Sequence, residues 1–105
     1  MLSFKEGVKI TGVRSEIVLA IQVVYSVYME YEEECVITSV VEGKHSRGSL
    51  HYSGAAFDIR TRTILKDFDK EAIKEDIRYA LTDEFDVVLE ATHIHVEFQP
   101  KSGYP

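Results

Sequence analysis

The chain predicts a small α+β domain, two main helices packed with a small antiparallel β-sheet, and three observations predict it. Two stretches repeat apolar residues at helical spacing. Four short stretches are rich in β-branched residues or alternate apolar with polar. The order of these stretches is helix, two strands, helix, two strands, which suits a layered α+β arrangement. With 105 residues the chain has room for one domain and one modest core.

Residues 1–14 are mixed, and Gly7 and Gly12 break any periodic pattern. Ser15 has the side chain of an N-cap. Beyond it Ile17, Ala20, Ile21, Val24, Val27, Tyr28 and Tyr31 recur at helical spacing, so a helix is expected from about 16 to 31 with one broad face in the core. The acidic run Glu30, Glu32, Glu33, Glu34 stands where the helix dipole disfavours acids, and it is expected to end the helix and face water. Residues 35–41, CVITSVV, read as a buried strand. Cys35, the single cysteine, has no internal disulfide partner and is expected to be buried and inert.

Residues 42–50, EGKHSRGSL, form a polar loop, and residues 55–60, AAFDIR, a second short strand. Asp69 is placed to cap a second helix from about 70 to 82, with Ala72, Ile73, Ile77, Ala80 and Leu81 as its core face. Lys70, Glu71, Lys74 and Glu75 make its wet face. Residues 85–91 and 93–98 read as two strands joined in a hairpin around Thr92. On the last strand His93, His95 and Glu97 share one face, and Ile94, Val96 and Phe98 share the other.

Charge narrows the function classes. The chain has 12 basic and 18 acidic residues, a net charge of -6, and no basic stripe. That excludes a general electrostatic attraction to nucleic acid or to an anionic membrane. The opening MLSFKEGVKI lacks the apolar core of a signal peptide, and no apolar run is long enough to span a bilayer. The chain is therefore expected to be made in the cytoplasm without a signal peptide, and to be a monomer.

The chemistry-bearing residues are concentrated. The four histidines fall into two clusters, His45 with His51 and His93 with His95. Zinc takes His nitrogen and carboxylate oxygen, and catalytic sites use three protein ligands with one position left open. His51, Asp58 and a His of the last strand supply such a set. Gly54 lets the chain turn between the first two ligands, and the small Ala55 and Ala56 let the backbone pack closely. Asp58 stands between Phe57 and Ile59, where a carboxylate is costly unless it is paired, metal-bound or turned to solvent. Glu90, just upstream of the histidine pair, is placed as a general base for hydrolysis.

The segment HSRGSLHYSGAAFDIR together with HIH resembles the zinc site shared by D-alanyl-D-alanine carboxypeptidases, phage L-alanyl-D-glutamate endopeptidases and the hedgehog signalling domain. Their signature, S-x-H-x-x-G-x-A-x-D followed by H-x-H, stands here as Ser49, His51, Gly54, Ala56, Asp58, then His93 and His95. The resemblance implies a hedgehog/DD-peptidase-like fold and one zinc ion per chain held by His51, Asp58 and His95. It implies that His93 lies beside the metal and that His45 lies at the cleft; Arg47 and Ser49, in the same loop, are expected with His45 to bind substrate. The implied activity is metal-assisted hydrolysis of peptide bonds in the peptidoglycan stem peptide, with Glu90 as base and His93 or His45 helping to stabilise the oxyanion. A wall-directed enzyme without a signal peptide would reach its substrate by release or delivery, as a phage lytic enzyme does. A non-catalytic, zinc-containing binding module of the hedgehog kind is the alternative.

Two departures from the family pattern stand out. The catalytic acid of the carboxypeptidases stands three residues before the last ligand His. Here that spacing holds for Glu90 and His93, whereas three residues before His95 stands Thr92. Either His95 is the ligand with Glu90 reaching from further back, or His93 is the ligand with Glu90 in the usual place. The family also carries an Arg upstream of the first His that grips a substrate carboxylate. Glu42 stands near that place here, and Lys44 and Arg47 are the nearest cations.

Overall fold

A computed structural model describes residues 1–41 and 54–99. Its elements are β1 (Leu2–Phe4), α1 (Ser15–Glu30), β2 (Cys35–Ser39), β3 (Ala56–Arg60), α2 (Asp67–Leu81), β4 (Phe85–Leu89) and β5 (His93–Phe98). The five strands form one sheet in the order β1-β2-β3-β5-β4. Only β1 and β2 run parallel; every other pairing is antiparallel. The fold is thus α+β, with two helices and a mostly antiparallel sheet.

Both helices form because their apolar residues return to one side every third or fourth position. On α1, Ile17, Ala20, Ile21, Val24, Val27 and Tyr28 are buried, and Tyr31 just beyond the helix is half-buried. On α2, Ile73, Ile77 and Leu81 are buried. Ala80, expected in the core, is exposed, and Ala72 is half-buried. The i, i+4 row from Ile73 through Ile77 to Leu81 already fills the contact stripe, and Ala80 falls outside it. The helices meet Phe57, Ile59, Ile94 and Val96 from the sheet, all fully buried. Each such side chain contributes roughly 1.5–3 kcal/mol through removal of apolar surface from water.

The helix ends depart from expectation. Ser15 is the first helical residue and Arg14 the boundary, with no side-chain cap bond. The second helix starts at Asp67, so Asp69 lies in its first turn and not at its cap. There both acids still favour the positive end of the dipole. At the far end of α1, Glu32 takes a left-handed φ of 57°. The Glu32 and Glu33 amides donate back to the Met29 and Tyr28 carbonyls at 2.9 and 3.0 Å, a Schellman termination. The acidic run ends the helix as expected, but Glu33 does more than face water. Its carboxylate accepts from the Leu65 amide at 2.7 Å and pins the chain ahead of α2.

The strand β1, unforeseen in the sequence, lies against β2 with Leu2 opposite Cys35 and Phe4 opposite Ile37. Cys35 is fully buried, and burial pushes its thiol up to about 12, which suits an inert packing residue. Ala91 and Thr92 form the tip of the β4–β5 hairpin, closed by the Glu90 amide donating to the His93 carbonyl at 2.8 Å. Among the described residues, no helix is long and apolar enough to cross a membrane.

Candidate metal centre

The pleat of β3 decides which side chains reach the site. Phe57 and Ile59 point into the core with no exposure, so Asp58 and Arg60 emerge on the face turned away from the helices. The same alternation on β5 buries Ile94 and Val96 and turns out His93, His95 and Glu97. The β3–β5 register then sets Asp58 directly opposite His95, and Arg60 opposite His93. On the other side of β3, Ser39 of β2 lies opposite Asp58, next to a register shift between Ile37 and Ser39.

Gly54 stands where only glycine fits. Its φ is +73°, and a Cβ would run into the carbonyl of Gly12 and the Cα of Val13. The Arg14 amide donates to the Gly54 carbonyl at 3.0 Å. The chain entering β3 is therefore seated on the loop that precedes α1. Ala55 and Ala56 follow, both buried.

His95 is bracketed by carboxylates. Its Nδ1 lies 2.8 Å from Asp58 Oδ1, and its Nε2 lies 2.7 Å from Glu97 Oε1. Glu97 Oε2 in turn accepts from Gln99 Nε2 at 2.7 Å. The hydrogen bond to Asp58 is the main cause that raises the His95 imidazole from 6.5 to about 9; partial burial works against it and Glu97 adds to it. In the metal-free chain this favours the imidazolium at neutral pH, with a carboxylate accepting from each nitrogen; as a metal ligand the ring would give up one proton. His93 stands beside this pair. Its Nε2 is 3.8 Å from Asp58 Oδ1 and 3.5 Å from Glu90 Oε2, and its Nδ1 is 3.1 Å from Thr92 Oγ1.

The donor set suits zinc. Imidazole nitrogen and carboxylate oxygen bind that ion at about 2.0–2.2 Å, which in a tetrahedron places the two ligand atoms roughly 3.3 Å apart. Asp58 and His95 stand about half an ångström closer than that, at hydrogen-bond distance. A carboxylate on the second nitrogen of a ligating His, as Glu97 is on His95, is the usual way such a ring is oriented.

Of the sequence-predicted residues, the structure brings together Asp58 from β3 and Glu90, His93 and His95 from the β4–β5 hairpin. Asp58 contacts His95 more closely than His93. Glu90 is at the rim, its side chain 48% exposed. His51, His45, Arg47 and Ser49 lie outside the described residues. Among the described residues no group of three or more His, Cys, Asp and Glu side chains is gathered as a metal-binding set. Two residues were missed as participants, Glu97 and Gln99. Strand alternation had already placed Glu97 on the face of His95, whereas Gln99 lies past the strand where no periodicity marks it. A scan of the chain against protein-family models and a search of curated proteins find no match.

Proposed function

We propose that the chain is a zinc-dependent peptidase of the D-alanyl-D-alanine carboxypeptidase and phage L-alanyl-D-glutamate endopeptidase family, hydrolysing peptide bonds of bacterial peptidoglycan. The observation that carries this reading is the Asp58–His95 pair, 2.8 Å apart in direct register on the polar face of the sheet. These are the acid and the last histidine of the signature. His51, Asp58 and His95 would hold the metal, which when bound polarises a carbonyl and lowers the pKa of water.

The chain's own residues do the rest. Glu90 takes the proton of the attacking water and returns it to the leaving amine. His93, 3.8 Å from Asp58 and 3.5 Å from Glu90, would donate a hydrogen bond to the developing oxyanion. Glu97 and Gln99 fix the His95 ring. In this reading the enzyme reaches the wall by release or delivery.

The test is metal content of the purified chain against His51→Ala, followed by turnover of purified peptidoglycan with and without a chelator. About one zinc per chain, lost in the variant, and chelator-sensitive turnover are expected. Glu90→Gln should keep the metal and lose about 10²–10⁴-fold in rate; full activity in that variant would end the role of Glu90. One observation favours a second reading, a zinc-containing module that binds a protein partner. The Glu90 carboxylate is half exposed and turned to His93. Stoichiometric zinc with no turnover of any wall preparation would decide for that module.

A further inference from the structure

Next to His93 the sheet opens into a cavity of about 440 Å³ whose lining includes Lys5, Arg60, Arg62, Lys70, Thr92 and His93, with no carboxylate among the described residues that line it. The chain as a whole carries 18 acidic residues against 12 basic ones. Four cations around one cavity are therefore a local reversal of the molecule's charge. They come from separate parts of the chain. Lys5 follows β1 and is fixed by its amide donating to the Ile37 carbonyl at 2.8 Å. Arg60 ends β3, and its carbonyl accepts from the buried Tyr28 hydroxyl at 3.0 Å. Arg62 lies two residues on, and Lys70 stands in the first turns of α2.

Lys70 is paired with Asp67 at 3.1 Å. Among the described residues no carboxylate pairs with Lys5, Arg60 or Arg62. Like charges brought together by tertiary structure and left without counter-charges repel one another, and an anion in the cavity relieves that repulsion. The forked guanidinium groups of Arg60 and Arg62 match a planar carboxylate bidentately.

We infer that this cavity is a subsite for a carboxylate group of a peptide ligand, gripped by Arg60 and Arg62 with Lys5 beside them. Arg60 stands two residues from Asp58 on the same face of β3, a Cα separation of roughly 6.6 Å. A carboxylate held beside Arg60 lies about two residues of extended peptide away from the Asp58–His95 pair. The subsite lies downstream of Asp58, on β3 and the segments beside it, whereas the family's carboxylate-gripping Arg precedes the first ligand His. The choice of a peptide carboxylate over phosphate rests on the proposed peptidase reading; the positive charge of the cavity does not.

The test uses the full chain with chelator present, so that anion binding is read apart from any metal. Alanyl-alanine with a free C-terminus, the same dipeptide amidated, and inorganic phosphate are each titrated while the backbone amides of Arg60, Arg62 and Thr92 are followed by NMR. The free dipeptide should bind about tenfold more tightly than the amidated one, which is the worth of one or two charge pairs of this exposure. Its binding should weaken with added salt. Arg60→Gln with Arg62→Gln should abolish the difference, and Arg62→Lys should retain most of it. Because Arg62 is exposed, Arg62→Gln alone serves if the double variant does not fold. Equal binding of free and amidated dipeptide, binding of phosphate alone, or an unchanged preference in the glutamine variants overturns the inference. Failure of the peptidase reading looks different: carboxylate preference intact, with no zinc and no turnover.

Discussion

Replacing Gly54 with alanine should damage this protein more than the same change at Gly7, and the difference has a worked size. Both glycines have left-handed backbones, with φ of +73° at Gly54 and +92° at Gly7. A Cβ in that region costs about 1–2 kcal/mol at either position. At Gly7 nothing lies within 4 Å of the added atom. At Gly54 the new methyl meets backbone, the Gly12 carbonyl and the Val13 Cα, which have no flexible end to swing aside. Forcing them apart adds about 1–3 kcal/mol, the usual cost of overpacking. The expected loss is therefore about 2–5 kcal/mol for Gly54→Ala against about 1–2 kcal/mol for Gly7→Ala. Urea unfolding of the metal-stripped chains measures it without linkage to bound zinc. Gly54 stands between His51 and Asp58, so its displacement should also lower zinc retention, which Gly7→Ala should not. Equal losses for the two variants would refute the claim that the signature glycine is there for the close approach of β3 to the Gly12 loop.

Two further outcomes follow from the bracketed histidine. Glu97→Gln should weaken zinc binding about tenfold or more, the cost of removing the carboxylate that orients a ligating ring; competition with a chelating dye reads it, and an unchanged affinity would remove Glu97 from the centre. In the metal-stripped chain the His95 imidazole is raised from 6.5 to about 9, chiefly by its hydrogen bond to Asp58. A raised folded pKa stabilises fully below the unfolded value and is lost as pH climbs through the folded one, so this contribution holds below about pH 6.5 and fades through about 9. Wild type should therefore exceed Asp58→Asn by on the order of 2–3 kcal/mol at pH 6, with the advantage gone near pH 10. A pH-independent difference in denaturant midpoints would contradict it.

Local periodicity carried most of the fold and the facing of the candidate site's strand residues, and what it left out has a physical reason. The period of two on β3 and β5 put Asp58, His95 and Glu97 on faces that the sequence itself displays, because burying Phe57, Ile59, Ile94 and Val96 leaves no other orientation. The hairpin at Ala91 and Thr92 was legible for the same reason. What local pattern does not encode is which strands become neighbours. Strand β1 has three residues and no alternation to display; it exists because Cys35, Val36 and Ile37 offer it an edge. Once it docks, Lys5 arrives beside Arg60 and Arg62, more than fifty residues away in the chain. The sequence offers Lys44 and Arg47 as the cations nearest along the chain to His51, and both lie outside the described residues. Lys5, Arg60, Arg62 and Lys70 are gathered across the sheet, where distance along the chain has no bearing. Ala80 departs from expectation for a related reason: its residue type and spacing allow the core, and only the direction from which α2 meets the sheet turns it to water. In each case the missing information is the placement of one element against another, which is set by the summed packing of the core and not by any residue's own neighbours in sequence.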